Sequence, residues 1–163
     1  MRGRSGAVEL KRIELEIIEL FVHFAQMLDL PKSIGEIYGL LYATAEPLPL
    51  DEIVTRLQMS KGSASQGLRF LKNLNAVRTS YVVGDRRDHY EPERRLRRLA
   101  NGFLRERIEP HLENGKDRLN RIESLLEAEG EDEALLVERV EKLKNWHSQA
   151  ERIIPLVRGM IGQ

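Results

Sequence analysis

The chain has 163 residues, of which 26 are basic and 26 acidic, so its formal net charge is zero. This length allows one ordinary domain, or a small domain with a helical appendage. The absence of cysteine excludes a disulfide framework, a thiolate metal site and a cysteine nucleophile. No run approaches 18 uninterrupted apolar residues, so we expect a soluble, cytoplasmic protein without a membrane segment.

The first part of the chain predicts three helices. Apolar residues recur every three or four positions from Ala7 to Leu28, which predicts the first. Pro31 opens the second, because the first turn of a helix does not use the missing N–H. Pro47 and Pro49 end that helix, and a third, short helix is expected from Glu52 to Gln58.

A fourth helix is predicted from Lys61 to Asn73, with Ser60 as its N-cap. On a helical wheel its apolar residues form an inner face, namely Ala64, Gly67, Leu68, Leu71 and Leu74. The opposite arc carries small, amide and basic residues, namely Gly62, Ser65, Gln66, Arg69, Lys72 and Asn73. The helix is therefore amphipathic, with an outer face suited to polar partners.

The outer face of this helix has the chemistry of a DNA reader. Small residues at Ser63 and Ser65 let the backbone approach base edges. Gln66 can pair bidentately with adenine, and Arg69 with guanine or a phosphate. Lys61 lies at the helix N-terminus, where backbone amides also favour a phosphate. The alternative is an ordinary surface helix, although such helices seldom gather glycine and serine in the first turn.

A β-hairpin is predicted directly after the fourth helix. Residues Tyr81–Val83 form the clearest strand, Gly84-Asp85 supports a tight reversal, and His89–Glu91 returns as the partner strand. The tip then presents Arg86 and Arg87, one of which can enter a minor groove. The other arginine would be held by Asp85 or Asp88 through an ion pair. A charged turn that only keeps the hairpin soluble is the alternative.

The chain is predicted to be helical from Glu93 onwards, with Pro110 kinking or dividing this segment. Gly130 separates a last helix, about Asp132 to Val157. Both helices carry narrow apolar stripes flanked by charge, as in helices that pair with other helices. The first helix and these last helices cannot bury their stripes alone. A homodimer is therefore expected, with the N-terminal helix, the C-terminal pair or both as its interface.

Charge is distributed unevenly despite the neutral total. Between Ser60 and Arg107 the sequence has 12 basic and five acidic residues, a net charge of +7, so the remainder carries −7. A basic region on a neutral protein fits a polyanionic partner, because each cation near a phosphate releases condensed counterions. A solvated charged surface is the other interpretation of charge alone.

These elements predict a mainly α fold with a small β-hairpin wing. We divide it into an N-terminal helix over residues 1–30 for dimerisation or packing, a winged helix-turn-helix DNA-binding domain over 31–93, and long C-terminal dimerisation helices over 94–163. The residues expected to contact double-stranded DNA are Ser60, Lys61, Ser63, Ser65, Gln66, Arg69, Lys72, Arg78, Arg86 and Arg87.

Four separated motifs resemble the GbsR-like branch of the MarR transcriptional regulators. They are Pro31–Tyr42, Pro47–Ile53, Met59–Ser65 and Gly84–Tyr90, and the resemblance covers about residues 20–110. It implies a winged-helix dimer with DNA contacts from the fourth helix and the arginine wing. It also implies control of genes for the uptake or synthesis of compatible solutes such as choline and glycine betaine.

MarR-like dimers often hold a small-molecule effector beside the dimerisation helices. The candidate lining residues here are aromatic, namely Phe21, Phe24, Tyr38, Tyr42 and Trp146. Aromatic faces attract quaternary ammonium groups. Aromatic residues at helical spacing are more often core, and the aromatic content is only 6%.

Other function classes find little support in the sequence. The four histidines are far apart without metal-ligand spacing, and no nucleophile elbow, phosphate loop or dinucleotide fingerprint is present. We therefore expect no metal, no cofactor and no enzymatic activity. A winged-helix adaptor or scaffold that binds another protein remains the alternative to a DNA-binding repressor. Such an adaptor would be expected to lack the basic tip and to show an apolar outer helix face.

Overall fold

A computed structural model describes residues 9–129 and 134–162 of the chain, which fall into two compact units. The first unit extends to Leu99, and the second begins at Ala100. The predicted helix start at Ala7 and the predicted break at Gly130 lie outside the described residues.

Four helices and a small sheet make up the first unit. The helices are α1 (Arg12–Met27), α2 (Lys32–Ala43), α3 (Leu50–Leu57) and α4 (Lys61–Asn73). The strands are β1 (Leu48–Pro49), β2 (Val77–Val82) and β3 (Asp85–Pro92). Helix α4 has the predicted bounds, whereas α1 begins later than predicted. The Lys11 N–H donates to the Glu14 carboxylate at 2.7 Å, and this local bond fixes the start of α1 at Arg12.

Close contact between α1 and α2 builds one side of the core. A Cβ on Gly39 would lie 2.7 Å from the Ile18 Cα, so only glycine permits this approach of the two backbones. The most deeply buried side chains of α2 are Ile37, Leu40 and Leu41, and each contributes about 1.5–3 kcal/mol by burial. Helix α2 is thus the central element on which the other helices of the first unit pack.

The helix-turn-helix consists of α3, a short turn and α4. Helix α3 begins at Leu50, two residues earlier than predicted, because Pro49 has the extended backbone of an N-cap. It ends at Leu57, and the C-cap residue Gln58 adopts a left-handed conformation with φ 52°. Ile53 on α3 is fully buried, and on α4 the side chain of Leu68 is 2% exposed. These apolar contacts orient α4 with its opposite face towards solvent.

The sheet has three antiparallel strands in the order β1-β3-β2. The two-residue strand β1 was not predicted, because Pro47 and Pro49 were interpreted only as a helix end and a spacer. Pro49 pairs with His89, and Ser80 on β2 pairs with the same residue from the other side. The hairpin turn is closed at Gly84, whose φ of +88° suits glycine. The wing is therefore a three-stranded sheet rather than an isolated hairpin.

The second unit is a pair of long helices that follow the end of α5 (Leu96–Phe103). A π-helical turn, Leu104–Ile108, leads into α6 (Glu109–Glu129). This wider turn stands directly before Pro110, where a proline would clash with the carbonyl four residues back in a regular α-helix. Helix α7 (Ala134–Gly162) runs past the predicted end at Val157 and contains Pro155.

Helix α7 carries a second apolar face beside its apolar stripe. Val140 and Ile154 lie on that stripe and are half-buried. Leu136 and Leu143 share its helical angle, although they are 42% and 55% exposed. The second face consists of exposed residues spaced seven apart, namely Trp146, Ile153 and Met160. No residue of α7 is buried. The helical pair therefore leaves much apolar surface uncovered in a single chain.

Candidate nucleic-acid interface

The N-terminus of α4 is fixed by Ser60. The Ser60 Oγ accepts a hydrogen bond from the Ser63 N–H at 3.1 Å, and the two hydroxyls lie 2.9 Å apart. This is the predicted N-cap, and it satisfies one of the free backbone donors of the first turn. Both serine side chains are exposed, so they lie at the solvent end of the helix. Lys61 follows them, and its ammonium is 3.8 Å from the Asp51 carboxylate.

The burial pattern of α4 matches the predicted wheel. The buried residues are Ala64, Gly67, Leu68 and Leu71. The exposed residues include Lys61, Ser63, Ser65, Gln66, Arg69 and Lys72. Within the part of the chain that the structure describes, the side chains of Gln66, Arg69 and Lys72 have no hydrogen bond or ion pair. Three long polar side chains on one solvent-facing surface are thus available for an external partner.

At the wing, Arg87 is held by Asp85. The Arg87 Nε donates to both Asp85 carboxylate oxygens at 3.0 Å, and one terminal amine lies 2.5 Å from Oδ2. The Arg87 backbone N–H also donates to Oδ1 at 3.0 Å. Hydrogen bonds from the Arg87 side chain and backbone lower the pKa of the Asp85 carboxyl well below its usual range. Asp85, rather than Asp88, is therefore the residue that clasps an arginine.

The other wing arginine, Arg86, is exposed and has no hydrogen bond or ion pair with any described residue. Arg78 on β2 is different, because its guanidinium donates to the Glu91 carboxylate opposite it in the sheet. The wing therefore presents two arginines near its tip. One is held by Asp85, and the other has no partner among the described residues, while Arg78 is already paired with Glu91 within the sheet.

His89 is the buried polar residue that the sequence analysis did not assign to the site. Its side chain is 6% exposed, its Nδ1 lies 2.8 Å from the Arg87 carbonyl oxygen, and its Nε2 lies 3.4 Å from the Asp85 Oδ2. The spacing of Asp85, Arg87 and His89 in the sequence was the feature that could have indicated this arrangement. Side chains two residues apart share one face of a strand, which places Asp85, Arg87 and His89 together.

The predicted effector residues divide between the two units. Phe21, Phe24, Tyr38 and Tyr42 form one aromatic cluster on α1 and α2, with the Phe21 and Tyr38 rings 4.8 Å apart. The Tyr38 hydroxyl donates to the Glu93 carbonyl at 2.5 Å, and burial raises the pKa of Tyr38 above its ordinary value. Trp146 lies in the second unit on α7 and is 71% exposed.

A separate cleft of about 320 Å³ lies between α6 and α7. Its apolar lining comes from Leu126, Val137 and Val140, and its charged lining consists of three glutamates and Lys144. None of the five predicted effector residues lines this cleft. No group of three potential metal ligands occurs among the residues that the structure describes. Over the same residues, no helix has the length and apolar character needed to cross a membrane.

The fold is a winged helix-turn-helix. A crystal structure of a transcriptional regulator superposes with a TM-score of 0.62 at 18% sequence identity, covering 93% of this chain and 99% of that chain. Helix α4 and the β2–β3 hairpin occupy the positions of the second helix and the wing in such a fold. The predicted fold class is confirmed.

Particular relatives come from Bacillus subtilis (strain 168). The HTH-type transcriptional repressor GbsR is 30% identical over 88 residues, which cover 54% of this chain and 48% of the relative. The HTH-type transcriptional repressor OpcR is 26% identical over 84 residues, which cover 52% of this chain and 45% of the relative. The putative HTH-type transcriptional regulator YvaV is 27% identical over 84 residues, which cover 52% of this chain and 48% of the relative.

The chain spans about half the length of the curated relatives it matches. No family model matches it. The similarities confirm the resemblance to GbsR-like regulators that the four sequence motifs indicated. The relatives are transcriptional regulators, a class of proteins that are not enzymes.

Proposed function

We propose that this protein is a sequence-specific DNA-binding transcriptional regulator, with repression as its mode of action. The observation that carries the proposal is the outer face of α4, where Gln66, Arg69 and Lys72 are exposed and unpartnered among the described residues. Glutamine and arginine are the side chains that read adenine and guanine edges in the major groove. The repressor names of two relatives support the same function.

The wing supplies the second part of the proposed interface. The free guanidinium of Arg86 enters the minor groove or contacts the backbone, where the negative potential of a narrow groove attracts it. Arg87 stays close to the strand because Asp85 clasps it, and its remaining amine is available to a phosphate. Arg78 is paired with Glu91, so we assign it a weaker role in DNA contact.

The proposed regulator acts as a homodimer. Apolar side chains on α1 and α7 are strongly exposed in the single chain, including Met27 at 74%, Trp146 at 71% and Met160 at 79%. Such surface is seldom left uncovered in a soluble protein, and pairing of two copies covers it. A two-fold dimer also presents two copies of α4 to successive major grooves, about 34–36 Å apart.

A small-molecule effector, such as a compatible solute or its precursor, completes the proposal. The support is the aromatic cluster, in which Phe24 is 46% exposed and Tyr42 is half-buried. Exposed aromatic faces attract quaternary ammonium ions. Phe21 and Tyr38 are buried, so we assign them to the packing beneath that surface.

The test is a titration of the protein against duplex DNA from its own upstream region, at two salt concentrations, with a random duplex as the control. Tighter, salt-sensitive binding to the upstream DNA is the expected result. Equal binding to both duplexes would contradict sequence-specific recognition. Failure to bind either duplex at low salt would favour the protein-binding adaptor instead.

A further inference from the structure

Three side chains on one face of β3 form a connected chain of contacts at the wing. The buried ring of His89 reaches the Asp85 carboxylate, and the Asp85 carboxylate holds the Arg87 guanidinium. Asp85 is held from two sides. The Arg87 guanidinium, whose side chain is 55% exposed, lies on the solvent side of the carboxylate, and the buried imidazole of His89 lies on the other. The arginine therefore depends on the carboxylate for its position, and the carboxylate has one further side chain against it.

Both ring nitrogens of His89 face oxygen atoms that accept hydrogen bonds. The Arg87 carbonyl oxygen near Nδ1 can only accept, and the Asp85 carboxylate near Nε2 can only accept. An N–H at Nδ1 donates to the Arg87 carbonyl at 2.8 Å, and the opposite side of the ring lies against the Asp85 carboxylate, with Nε2 3.4 Å from Oδ2. The ring is therefore tied to the backbone of the wing and lies against the carboxylate that holds Arg87.

The elements packed around His89 place little other charge against it. Its strand partners Pro49 and Ser80 are uncharged. The pKa of Arg87 is raised first by its hydrogen bond to Asp85 and to a smaller extent by the carboxylates of Asp51 and Glu52, so α3 adds negative charge on this side of the wing. On α2, which also packs on β3, the charged residues Lys32 and Glu36 are paired at 2.9 Å.

We propose that His89 is a positioning residue, which orients Asp85 and through it fixes Arg87 for DNA contact. This inference rests on the proposed DNA-binding function. It assigns to the wing a buried residue that touches no DNA itself.

The first experiment measures the affinity for the upstream duplex for the wild type, for His89→Gln and for the control His23→Gln, whose side chain on α1 is exposed. His89→Gln should bind about tenfold more weakly than the wild type, as expected for a coupling between neighbouring groups. His23→Gln should bind like the wild type. An unchanged affinity of His89→Gln would overturn the inference.

A double-mutant cycle tests whether His89 acts through Asp85. The variants Asp85→Asn, Arg87→Ala and His89→Gln should each weaken binding, and His89→Gln should have no further effect when combined with Asp85→Asn. Full additivity of the two losses would overturn the inference. If Arg87→Ala binds like the wild type, the proposed role of the wing fails instead, so the two failures are distinguishable.

A measurement on the unmodified chain covers the case in which His89→Gln does not fold. In NMR spectra of the wild type, the His89 ring should keep its contact with Asp85, and the Arg87 Nε–H should exchange slowly with water, both without and with bound DNA. A His89 ring that leaves Asp85 when DNA binds would overturn the inference without any substitution.

Discussion

At the scale of single residues, the outer face of α4 separates base reading from backbone contact. Arg69 and Lys72 are both exposed, and neither has an intramolecular partner among the described residues. They differ in geometry, since arginine presents a planar fork that matches guanine and lysine presents a point charge. The pair is therefore suited to a comparison of two substitutions on one helix face.

We predict that Arg69→Ala reduces the discrimination between the upstream duplex and random DNA by about 1–3 kcal/mol. Lys72→Ala is the matched control and should weaken binding to both duplexes by similar factors, with a smaller salt slope. Competition titrations with both duplexes measure the difference. An equal loss on both duplexes after Arg69→Ala would reassign that residue to a phosphate contact.

Tyr38 gives a prediction about stability rather than binding. Its hydroxyl donates to the Glu93 carbonyl, and Tyr38→Phe should lower the free energy of unfolding by roughly 0.5–1.5 kcal/mol, since one hydrogen bond is lost. Burial raises the pKa of Tyr38. The unfolded state therefore releases the proton first, so the contribution of Tyr38 is complete below about pH 10 and is lost as the pH rises further.

Urea unfolding at a series of pH values measures both effects. The wild type should lose stability above about pH 10, and the Tyr38→Phe variant should lose less over the same interval. The substitution Tyr81→Phe is the control, because Tyr81 is 82% exposed. Identical alkaline profiles for the wild type and the Tyr38 variant would contradict the role given to burial.

At the scale of secondary-structure elements, backbone approach between α1 and α2 is the most specific constraint. We predict that Gly39→Ala destabilises the first unit by about 1–3 kcal/mol, because its Cβ would meet the Ile18 backbone. Gly159→Ala on α7 is the control, since nothing lies within 4 Å of its Cβ, and alanine favours a helix by about 0.5–1 kcal/mol. Thermal unfolding followed by circular dichroism compares them, and equal midpoints would contradict the packing argument.

The elements that the sequence predicted well are those with local signals. Helix α4 has a serine N-cap and a clean apolar face, so its bounds and its exposed residues follow from the sequence. Strand β1 has two residues, one of them a proline, and its existence depends on pairing with β3. The second apolar face of α7, with Trp146, Ile153 and Met160, was also missed, because the sequence pattern was interpreted as a single stripe.

The site shows the same division between local and non-local information. The sequence indicated that one wing arginine would be held by an aspartate, but it left Asp85 and Asp88 open. Alternation along β3 pairs Asp85 with Arg87 and Arg86 with Asp88, and among the described residues only Asp85 and Arg87 are hydrogen-bonded to each other. The burial of His89 required both neighbouring strands, and β1 was not foreseen.

At the scale of the whole molecule, the uncovered apolar surface bears on the proposed dimer. The exposed residues of α7 include Leu143, Trp146, Ile153 and Met160, with spacings of three and seven that place them along one stripe. On α1, Leu20 and Met27 are seven residues apart and similarly exposed. The two candidate interfaces lie in different units, so substitutions on each can be compared directly.

We predict that Trp146→Glu or Met27→Glu shifts the proposed homodimer towards the monomer, because a charge placed in an apolar interface is buried without a partner. Val83→Glu is the control, since Val83 is 89% exposed at the wing tip and lies outside both stripes. Sedimentation velocity reports the oligomeric state. The stripe whose variant remains dimeric is excluded from the interface, and a monomeric wild type contradicts the homodimer itself.

DNA binding by the same variants links assembly to recognition. A dimer gains affinity because the second copy of α4 binds a half-site one helical turn away without a new encounter. The interface variants should therefore lose most of their affinity for a two-half-site duplex while binding a single half-site like the wild type. Equal losses on both duplexes would indicate that the substituted residue is needed for folding of the chain rather than for assembly of the dimer. Circular dichroism of the variant would distinguish these two cases.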